Sequence, residues 1–397
     1  MVDDRVVMMS TNGYKNLVNT ENGKGLHWIC DINAELPVKI KPSGPGSERP
    51  TTLPQMFLNA VKQGGDRESM FVERDGKVVT WTWNQYYADA MAFAKSCAHL
   101  KTTEKSSVAI MGFNTPEWAI AFTGGIMHNC VATGIYSTNT PEACLYQAEH
   151  SEAEVVVVET IEMLNRFLKH AKDEIKRVKA FVIFGDNAIP AEIQDNRVYL
   201  WKDFLKLGKE IPNEVIIEKC LRQKPGECCV LIYTSGTTGQ PKGCMLSHDN
   251  LSWGTIAVME IASKEKPELV GPQNRSVSYL PLSHIAGLLF DIMNHYFNTH
   301  ELYFARPDAL AGSLVLTLQW ARPTMFLAVP RVWEKFEEKL KEIAASKPSI
   351  LQSISAWAKQ YGTLNTLAKA NNESPPFMYS VANFLVLNNI KKALGLD

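Results

Sequence analysis

The chain has 397 residues, of which 41 are Lys or Arg and 42 are Asp or Glu, so that its formal net charge at pH 7 is −1. A chain of this length exceeds what one compact core usually holds, so we expect two or more subdomains. The balanced charge and the lack of a long basic run argue against nucleic acid as a partner.

The eight cysteines include no C-x-x-C pair of the kind that binds zinc or performs redox chemistry, so we expect reduced thiols in a cytosolic environment. The amino terminus, MVDDRVVMMS, has two aspartates where a signal peptide has basic residues, and it has no apolar stretch of adequate length. No segment approaches the ~20 apolar residues that cross a bilayer. The sequence therefore predicts a cytoplasmic chain, and it leaves open a peripheral attachment to a membrane such as the endoplasmic reticulum.

The chain begins with a polar lead-in, residues 1–50, which ends in the Pro- and Gly-rich string KPSGPGSERP. Apolar residues at helical spacing then predict a helix over Thr52–Gln63. Two alternating runs around Asp75 and Gly76 predict a β-hairpin, and Thr82 is typical of a residue that caps the start of a helix.

From residue 107 onward, short apolar runs alternate with helical patterns. Pro116 falls in the first turn of the first of these helices, and strands are predicted at 107–112, 131–137, 153–159 and 179–185. Such an alternation is typical of a parallel sheet that helices cover on both faces. We therefore assign residues 51–222 to a first α/β subdomain.

A second alternation follows, which we assign to a second α/β subdomain at 223–397. It contains predicted strands at 228–233, 244–248, 275–282, 300–305 and 323–330. Its last part, from Arg331 onward, is helical and amphipathic.

A Gly-, Ser- and Thr-rich loop, TSGTTGQPKG, occupies residues 234–243 directly after a predicted strand. Glycines permit backbone angles that point successive N–H groups into one concavity, hydroxyl groups add donors, and a lysine adds positive charge, which together suit a polyphosphate. The residues that supply these groups are Gly236, Gly239, Ser235, Thr237, Thr238 and Lys242. A generic loop of this composition is more often only a solvated connector.

The loop differs from the P-loop of NTPases, whose pattern is G-x-x-x-x-G-K-[ST]. Counted from Gly236, the sixth position is Pro241, and Gly243 follows Lys242 where the pattern requires Ser or Thr. The next residues predict a strand and not the start of a helix. The sequence therefore predicts a phosphate loop between two strands.

The string YTSGTTGQPKG resembles the signature phosphate loop of the adenylate-forming enzymes, which include acyl-CoA synthetases, luciferases and peptide-synthetase adenylation domains. Three further blocks follow the order of that family: Pro116–Glu142, Ser278–Gly287 and Pro323–Lys335. The strings NTPEACLYQAEHSEAEVVVVE, VSYLPLSHIAG and FLVLNNIKKALGLD are most similar to the bubblegum-type branch, which activates long-chain and very-long-chain fatty acids. The resemblance covers roughly residues 50 to 397 and implies the α/β fold of that family's N-terminal domain, with two stacked αβα subdomains.

The resemblance also implies a two-step reaction. A fatty carboxylate attacks the α-phosphate of ATP and releases pyrophosphate, and the thiol of coenzyme A (CoA) then captures the acyl-adenylate. Lys242, Thr237 and His284 would be catalytic, and Thr238 would support Mg²⁺, although which loop threonine contacts the metal stays open. The implied nucleotide-binding residues are Thr234, Ser235, Gly236, Thr237, Thr238, Gly239, Gln240, Pro241 and Lys242.

Several candidate residues also have a simpler interpretation. His284 is either a carboxylate-pocket residue or a hydrogen-bonded structural residue, and Arg331 is either functional or a surface charge at a helix start. Trp333 and the GLLF string after His284 either line an acyl tunnel or belong to an ordinary core. We interpret Cys244 as a packing residue and not as a nucleophile.

Members of the family continue beyond this length with a Y-G-x-[ST]-E block, a ribose-binding aspartate, a hinge and a small C-terminal domain with a catalytic lysine. Residues 335–397 contain none of these, and the nearest string, QYGTLN at 360–365, lies in a helical pattern. We therefore expect a C-terminally truncated long-chain acyl-CoA ligase with little or no activity alone. The alternatives are a non-catalytic acyl- or nucleotide-binding fragment that associates with a full-length copy, and an adenylate-forming enzyme for another carboxylate.

Overall fold

The computed structural model describes residues 18–19, 28–44, 47–168, 175–186, 188–234, 239–346 and 348–396. This part of the chain divides into two compact units. Unit 1 runs to Asn274 and resumes over Leu280–Phe304, and unit 2 comprises Arg275–Tyr279 and the chain from Ala305 onward.

The strands, numbered along the chain, are β1 (Val18–Asn19), β2 (Lys39–Ile40), β3 (Glu68–Arg74), β4 (Lys77–Thr82), β5 (Ser107–Met111), β6 (Val131–Ile135), β7 (Ala153–Val158), β8 (Ala180–Ile183), β9 (Val198–Leu200), β10 (Cys228–Thr234), β11 (Lys242–Ser247), β12 (Arg275–Ser278) and β13 (Glu301–Phe304). Seven strands of unit 1 form one sheet in the order β11-β10-β6-β5-β7-β8-β9. Its neighbours are parallel except for β10 and β11, which form an antiparallel hairpin. In the same unit, β3 pairs in parallel with β13 and antiparallel with β4.

The helices are numbered in the same way. They are α1 (Leu53–Gly64), α2 (Trp83–His99), α3 (Pro116–Met127), α4 (Pro141–His150), α5 (Ile161–Leu168), α6 (Trp201–Phe204), α7 (Asn213–Arg222), α8 (His248–Glu265), α9 (Ile285–Gly287), α10 (Asn294–Asn298), α11 (Leu314–Ala321), α12 (Pro330–Ala345), α13 (Ser349–Ala370), α14 (Tyr379–Ala382) and α15 (Asn388–Leu394). Short 3₁₀ turns lie at Pro267–Leu269 and Ala309–Ala311, and π-helical stretches lie at Leu288–Met293 and Asn383–Leu387. The predicted α/β class is confirmed.

The seven-stranded sheet is buried on both faces. In β7, Val155 and Val157 belong to one core cluster with residues of α2 and α3, whereas Val156 and Val158 belong to a second cluster with residues of α4 and α5. All four valines are fully buried, and each such burial contributes roughly 1.5–3 kcal/mol. A strand that is buried on both faces has a continuous apolar sequence, which explains why the apolar run at 153–158 identified it.

The local signals for turns and helix starts are confirmed. Asp75 and Gly76 have φ angles of 50° and 72°, as a two-residue hairpin turn of the primed type requires, and they join β3 to β4. Thr82 and Gln85 form a reciprocal capping box at the start of α2. Pro116 is the first residue of α3, where its missing N–H costs nothing.

The structure divides the chain differently from the sequence prediction, which begins a second subdomain at residue 223. The hairpin β10–β11 follows that position, yet it belongs to the same sheet as β5 to β9. The reason is the parallel pairing of β10 with β6, in which Val230 to Ile232 lie opposite Ala132 to Gly134. An alternation of strands and helices shows that α/β structure continues, but it does not show which strands share a sheet. The predicted phosphate loop therefore belongs to unit 1.

The predicted strand at 323–330 is wrong. Within this segment only Met325 forms a bridge, to Ser276, and most of its residues are half-buried or exposed. An apolar run becomes a strand only where its backbone groups find partners along a ladder, and a single bridge does not provide one. The predicted strand at 275–282 is shorter than expected and ends at Ser278. The string at 360–365 lies within α13, as its helical pattern indicates.

The described part of unit 2 is mainly helical and exposes large apolar side chains. Phe377, Phe384 and Ile350 are 91%, 76% and 73% exposed. A groove of about 320 Å³ lies between α12, α13 and the segment 385–393. Among the residues that the structure describes, no helix is both long and apolar enough to cross a bilayer.

Candidate functional site

The candidate site lies at one edge of the seven-stranded sheet. Because β5, β6 and β10 are parallel neighbours, their carboxyl ends at Met111, Ile135 and Thr234 reach the same edge. The chain passes from β5 to β6 on one side and then to β7 on the other side of β5. In open α/β sheets, ligands bind at such a reversal of strand order, outside the carboxyl ends of the strands.

The β10–β11 hairpin carries the predicted phosphate loop. The last pair of its ladder is Thr234 opposite Lys242, and both residues are exposed. Gly239 has a φ of 88°, a left-handed conformation that favours glycine, and among the described residues no atom outside its immediate neighbours lies within 4 Å of where its Cβ would be. Gln240 beside it is also exposed. Four predicted residues, Ser235, Gly236, Thr237 and Thr238, lie outside the described residues, and their roles stay predictions.

Lys242 presents an ammonium group at the first position of β11. No ion pair joins it to a carboxylate in the described part of the chain, so its charge is available to an anion. Side chains that lie directly opposite each other in an antiparallel ladder have Cβ atoms about 5 Å apart. Lys242 and Thr234 therefore offer a cation and a hydroxyl donor side by side.

Three rings support the loop end of this hairpin, and we call them the aromatic brace: Tyr146 and His150 of α4, and Tyr233 of β10. The Tyr146 hydroxyl donates a hydrogen bond to the carbonyl of Pro241 at 3.1 Å. Nδ1 of His150 lies 2.8 Å from the Tyr233 hydroxyl. Burial raises the pKa of that hydroxyl, and the nearby Tyr146 raises it further, so Tyr233 stays protonated. Sequence reasoning missed the brace, for which the signal was the i, i+4 spacing of Tyr146 and His150.

Segment 280–284 reaches the same edge of the sheet. A Cβ on Gly134 would lie 2.5 Å from the Cα of Ser283, so the missing side chain at the end of β6 leaves room for this segment. The buried amide of Asn114, just after β5, donates to the carbonyl of Leu280 at 2.7 Å and accepts from the N–H of Leu282 at 3.2 Å. The ends of β5 and β6 thereby fix the chain that leads to His284.

His284 caps the start of α9. Its Nδ1 accepts a hydrogen bond from the N–H of Ala286 at 3.1 Å, which supports the interpretation as a hydrogen-bonded structural residue. The ring is exposed and lies at the same edge as the hairpin, so its role toward a carboxylate stays a prediction.

The remaining candidates have mixed outcomes. Arg331 is exposed and pairs with Glu334 at 3.1 Å, which fits a surface charge at a helix start. Leu288 is buried in the larger core cluster, whereas Trp333 is 45% exposed. The interpretation of Cys244 as a packing residue is wrong, because its thiol is exposed: along the edge strand β11, Cys244 alternates onto the same face as Lys242.

His248 anchors the chain where it leaves the hairpin. It is fully buried, and its Nδ1 accepts a hydrogen bond from the N–H of Leu53 at 3.1 Å. Burial lowers its pKa to about 3, with a smaller contribution from Lys105, so the ring is neutral at pH 7. Burial also lowers the pKa of His300 to about 3 and that of His295 well below its usual value.

The site fits a polyphosphate better than a bare metal ion. Within the described ranges no group of three His, Cys, Asp or Glu side chains converges to hold a metal. Mg²⁺ is commonly bound through one or two carboxylates together with phosphate oxygens. Lys242, which has no carboxylate partner among the described residues, and the left-handed Gly239 suit a polyphosphate that brings Mg²⁺ with it.

Comparison with known sequences gives consistent matches. Residues 57–372 match the family model of the AMP-binding enzymes. The long-chain-fatty-acid–CoA ligase ACSBG2 of Gallus gallus is 41% identical over 377 residues, which are 93% of this chain and 48% of that protein. The long-chain-fatty-acid–CoA ligase ACSBG1 of Homo sapiens is 38% identical over 368 residues, 93% of this chain and 50% of that protein. The chain thus spans about half the length of the curated relatives it matches.

Solved structures share the fold. The adenylation domain of a carboxylate reductase from Mycobacterium chelonae matches with a TM-score of 0.61 at 19% identity, over 78% of this chain and 52% of that chain. The anthranilate CoA ligase AuaEII in complex with anthranoyl-AMP matches with a TM-score of 0.56 at 16% identity, over 70% of this chain and 49% of that chain. Similarity at this level of identity concerns the fold alone.

Proposed function

The chain belongs to the AMP-binding enzyme family, and from this premise we propose that it grips the polyphosphate of ATP at the β10–β11 hairpin during the activation of a long-chain or very-long-chain fatty acid. One observation carries the proposal. Lys242 is exposed beside Thr234 at the carboxyl edge of a parallel sheet, and no carboxylate among the described residues neutralises it.

The proposed reaction has two steps. A carboxylate oxygen of the fatty acid attacks the α-phosphorus of ATP, the bond to pyrophosphate breaks, and an acyl-adenylate forms. The sulfur of CoA then attacks the acyl carbon, its proton is lost, and AMP leaves.

The residues of this chain act in the first step by binding and by electrostatics. Lys242 and the Thr234 hydroxyl compensate the charge of the β- and γ-phosphates, since positioning and charge stabilisation supply most of the rate in phosphate chemistry. The hydroxyls of Thr237 and Thr238 would extend this grip, and Mg²⁺ bound together with ATP would neutralise further charge.

The fatty-acid substrate is supported by the two relatives, whose names describe long-chain-fatty-acid–CoA ligases. In the proposal the carboxylate approaches the edge where segment 280–284 lies. Asn114 and Gly134 fix that segment, and its last residue, His284, has an exposed ring. His284 would then contact the carboxylate while it caps α9.

We also propose a cytoplasmic location with peripheral association with the endoplasmic reticulum membrane. The support is the set of exposed apolar side chains in unit 2, such as Phe377 and Phe384, since side chains of this kind enter the headgroup region of a bilayer. Flotation with vesicles that contain phosphatidylserine tests this. Recovery of the chain with the vesicles supports the association, and recovery in the soluble fraction at low salt contradicts it.

A second candidate function is nucleotide or acyl binding without ligation, in association with a full-length copy. Its support is that the described geometry, an exposed Lys242 opposite Thr234 at the carboxyl edge of the sheet, concerns the binding of a polyphosphate and not the transfer of an acyl group. In its nucleotide-binding form, this candidate shares the binding of the polyphosphate with the ligase proposal and differs from it only in whether the acyl-adenylate forms.

Exchange of labelled pyrophosphate into ATP in the presence of palmitate separates the two. Palmitate-dependent exchange by the wild-type chain, lost in Lys242→Ala, is the result that the ligase proposal predicts. ATP binding without exchange favours the second candidate. Failure of the chain to bind ATP in a calorimetric titration contradicts the ligase proposal and the nucleotide-binding form of the second candidate.

A further inference from the structure

We propose that Tyr146 is a positioning residue of this site, which orients Lys242 toward the polyphosphate through the backbone of Pro241. The inference rests on the proposed function and extends it to a residue of α4 that lies outside the loop. Tyr146 contacts no reacting atom, so its effect must pass through the peptide that it holds.

The hydrogen bond reaches the hairpin where its backbone ladder ends. The Tyr146 hydroxyl donates to the carbonyl of Pro241 at 3.1 Å, and this carbonyl belongs to the peptide group that joins Pro241 to Lys242. Proline has no N–H to donate, so the residue before Lys242 cannot continue the ladder in the way that β11 does. The side chain of Tyr146 therefore supplies a fixed point that the strand pairing lacks.

The ring of Tyr146 is itself held in place. It stacks on His150 with the ring centroids 5.3 Å apart, and it lies near Tyr233 at 6.4 Å in an edge-to-face arrangement. Tyr233 is fixed in turn, because its hydroxyl lies 2.8 Å from Nδ1 of His150 and donates to the carbonyl of Gln147 at 3.5 Å. A positioning group acts well when its own rotamer is locked by such packing.

The hydrogen bond from Tyr146 should lower the entropic cost of binding a polyphosphate. Lysine on an exposed edge strand loses rotamer freedom when it binds a phosphate, and an oriented backbone lowers the part of that loss that binding must overcome. Loss of one neutral hydrogen bond changes an equilibrium by about three- to tenfold. The effect should appear for ATP, whose outer phosphates reach Lys242, and be absent for AMP.

The test is the variant Tyr146→Phe, which keeps the ring and removes the hydroxyl. Tyr199→Phe is the matched control, since Tyr199 lies on β9 at the opposite edge of the same sheet. Calorimetric titration should give an affinity for ATP about three- to tenfold lower in Tyr146→Phe. The affinity for AMP and the melting temperature should stay as in the wild-type chain, and Tyr199→Phe should behave as wild type.

Limited trypsin cleavage measures, without any nucleotide, how firmly the hydrogen bond from Tyr146 holds the start of β11. The bond between Lys242 and Gly243 should be cut several-fold faster in Tyr146→Phe, relative to the bond between Lys206 and Leu207 in the same chain, because release of Pro241 lets the start of β11 open more often. Mass spectrometry of the fragments gives both rates.

The outcomes separate the two claims. Equal cleavage at Lys242 in Tyr146→Phe and Tyr199→Phe would show that the hydrogen bond from Tyr146 does not hold the start of β11. Faster cleavage in Tyr146→Phe with unchanged affinity for ATP would show that this hydrogen bond does not position Lys242. If the wild-type chain fails to bind ATP, the proposed function falls and this inference falls with it.

A second variant, His150→Ala, removes the stacked ring and should weaken ATP binding less than Tyr146→Phe. A larger loss in His150→Ala would show that ring packing, and not the hydrogen bond, orients Lys242.

Discussion

The β10–β11 hairpin and segment 280–284 reach the same edge of one sheet by different means. The hairpin is held by a backbone ladder and by the aromatic brace beneath it. Segment 280–284 is held by the amide of Asn114 and by the space over Gly134. Substitution of an exposed side chain on the hairpin should therefore leave the fold intact, whereas the position of segment 280–284 depends on a few buried atoms.

Low pH should give the largest effect on stability, because buried histidines lie near both the hairpin and segment 280–284. His248 follows the hairpin, and His295 and His300 lie beyond segment 280–284; all three are buried with lowered pKa. The unfolded chain therefore binds more protons below pH 6.5, so their contribution to stability is complete above that pH and is lost as pH falls toward 3. His248 and His300 should each reduce the free energy of unfolding by about 2 kcal/mol between pH 7 and pH 5, and His295 should act in the same direction.

Urea denaturation at several pH values measures this. His248→Asn, whose amide oxygen replaces Nδ1 as the acceptor for the N–H of Leu53, should flatten the pH dependence by the share of one histidine. An unchanged slope in that variant would show that His248 is not a source of the acid sensitivity.

Lys242→Ala should weaken ATP binding at the β10–β11 hairpin and leave segment 280–284 unchanged. A charged hydrogen bond to phosphate contributes enough that the affinity for ATP should fall about 10- to 100-fold. The free energy of unfolding should change by less than about 0.5 kcal/mol, because the side chain is exposed. Lys206→Ala is the control, since it removes an exposed lysine elsewhere in unit 1 and should leave ATP binding intact. Equal losses in the two variants would indicate a general effect of net charge.

Gly134→Ala should affect segment 280–284, which packs over this glycine. The added Cβ would lie 2.5 Å from the backbone of Ser283, so the free energy of unfolding should fall by about 1–3 kcal/mol. Gly254→Ala is the matched control, because nothing lies within 4 Å of its Cβ position in α8, and it should be neutral or stabilising by up to about 1 kcal/mol. Similar urea midpoints for both variants would contradict the close packing of Ser283 on β6.

His284→Ala should have the smallest effect on stability. It removes the acceptor for the N–H of Ala286, and the loss of such a cap costs about 0.5–1 kcal/mol. His284→Asn retains an acceptor and should restore stability. If His284 also contacts the carboxylate, palmitate-dependent pyrophosphate exchange should fall in both variants, and full exchange in His284→Asn would limit the residue to its capping role.

The elements of unit 1 could be predicted from the sequence because their signals are local. Continuous apolar runs such as 153–158 identify strands that are buried on both faces, and Thr82 and Pro116 identify helix starts. The division of the chain was not predictable in this way, because the pairing of β10 with β6 joins residues about one hundred positions apart.

The candidate site shows the same limit. The loop motif indicated Lys242, and the family blocks indicated His284. These motifs name single residues and do not show which residues surround them. The amide of Asn114 and the space over Gly134 depend on which elements the fold places in contact. The i, i+4 spacing of Tyr146 and His150 places both rings on one face of α4, but it does not show that this face contacts the hairpin. The exposure of Cys244 was missed for a similar reason, since it depends on β11 being an edge strand.

The role of Lys242 at the polyphosphate is tested by the ratio of the affinities for ATP and AMP, measured by calorimetric titration of the wild-type chain and Lys242→Ala at the same salt concentration. A grip on the outer phosphates predicts that the wild-type chain prefers ATP over AMP, and that Lys242→Ala reduces this preference at least tenfold while its affinity for AMP stays unchanged. The same ratio in both proteins would contradict the claim that the hairpin holds the polyphosphate through Lys242.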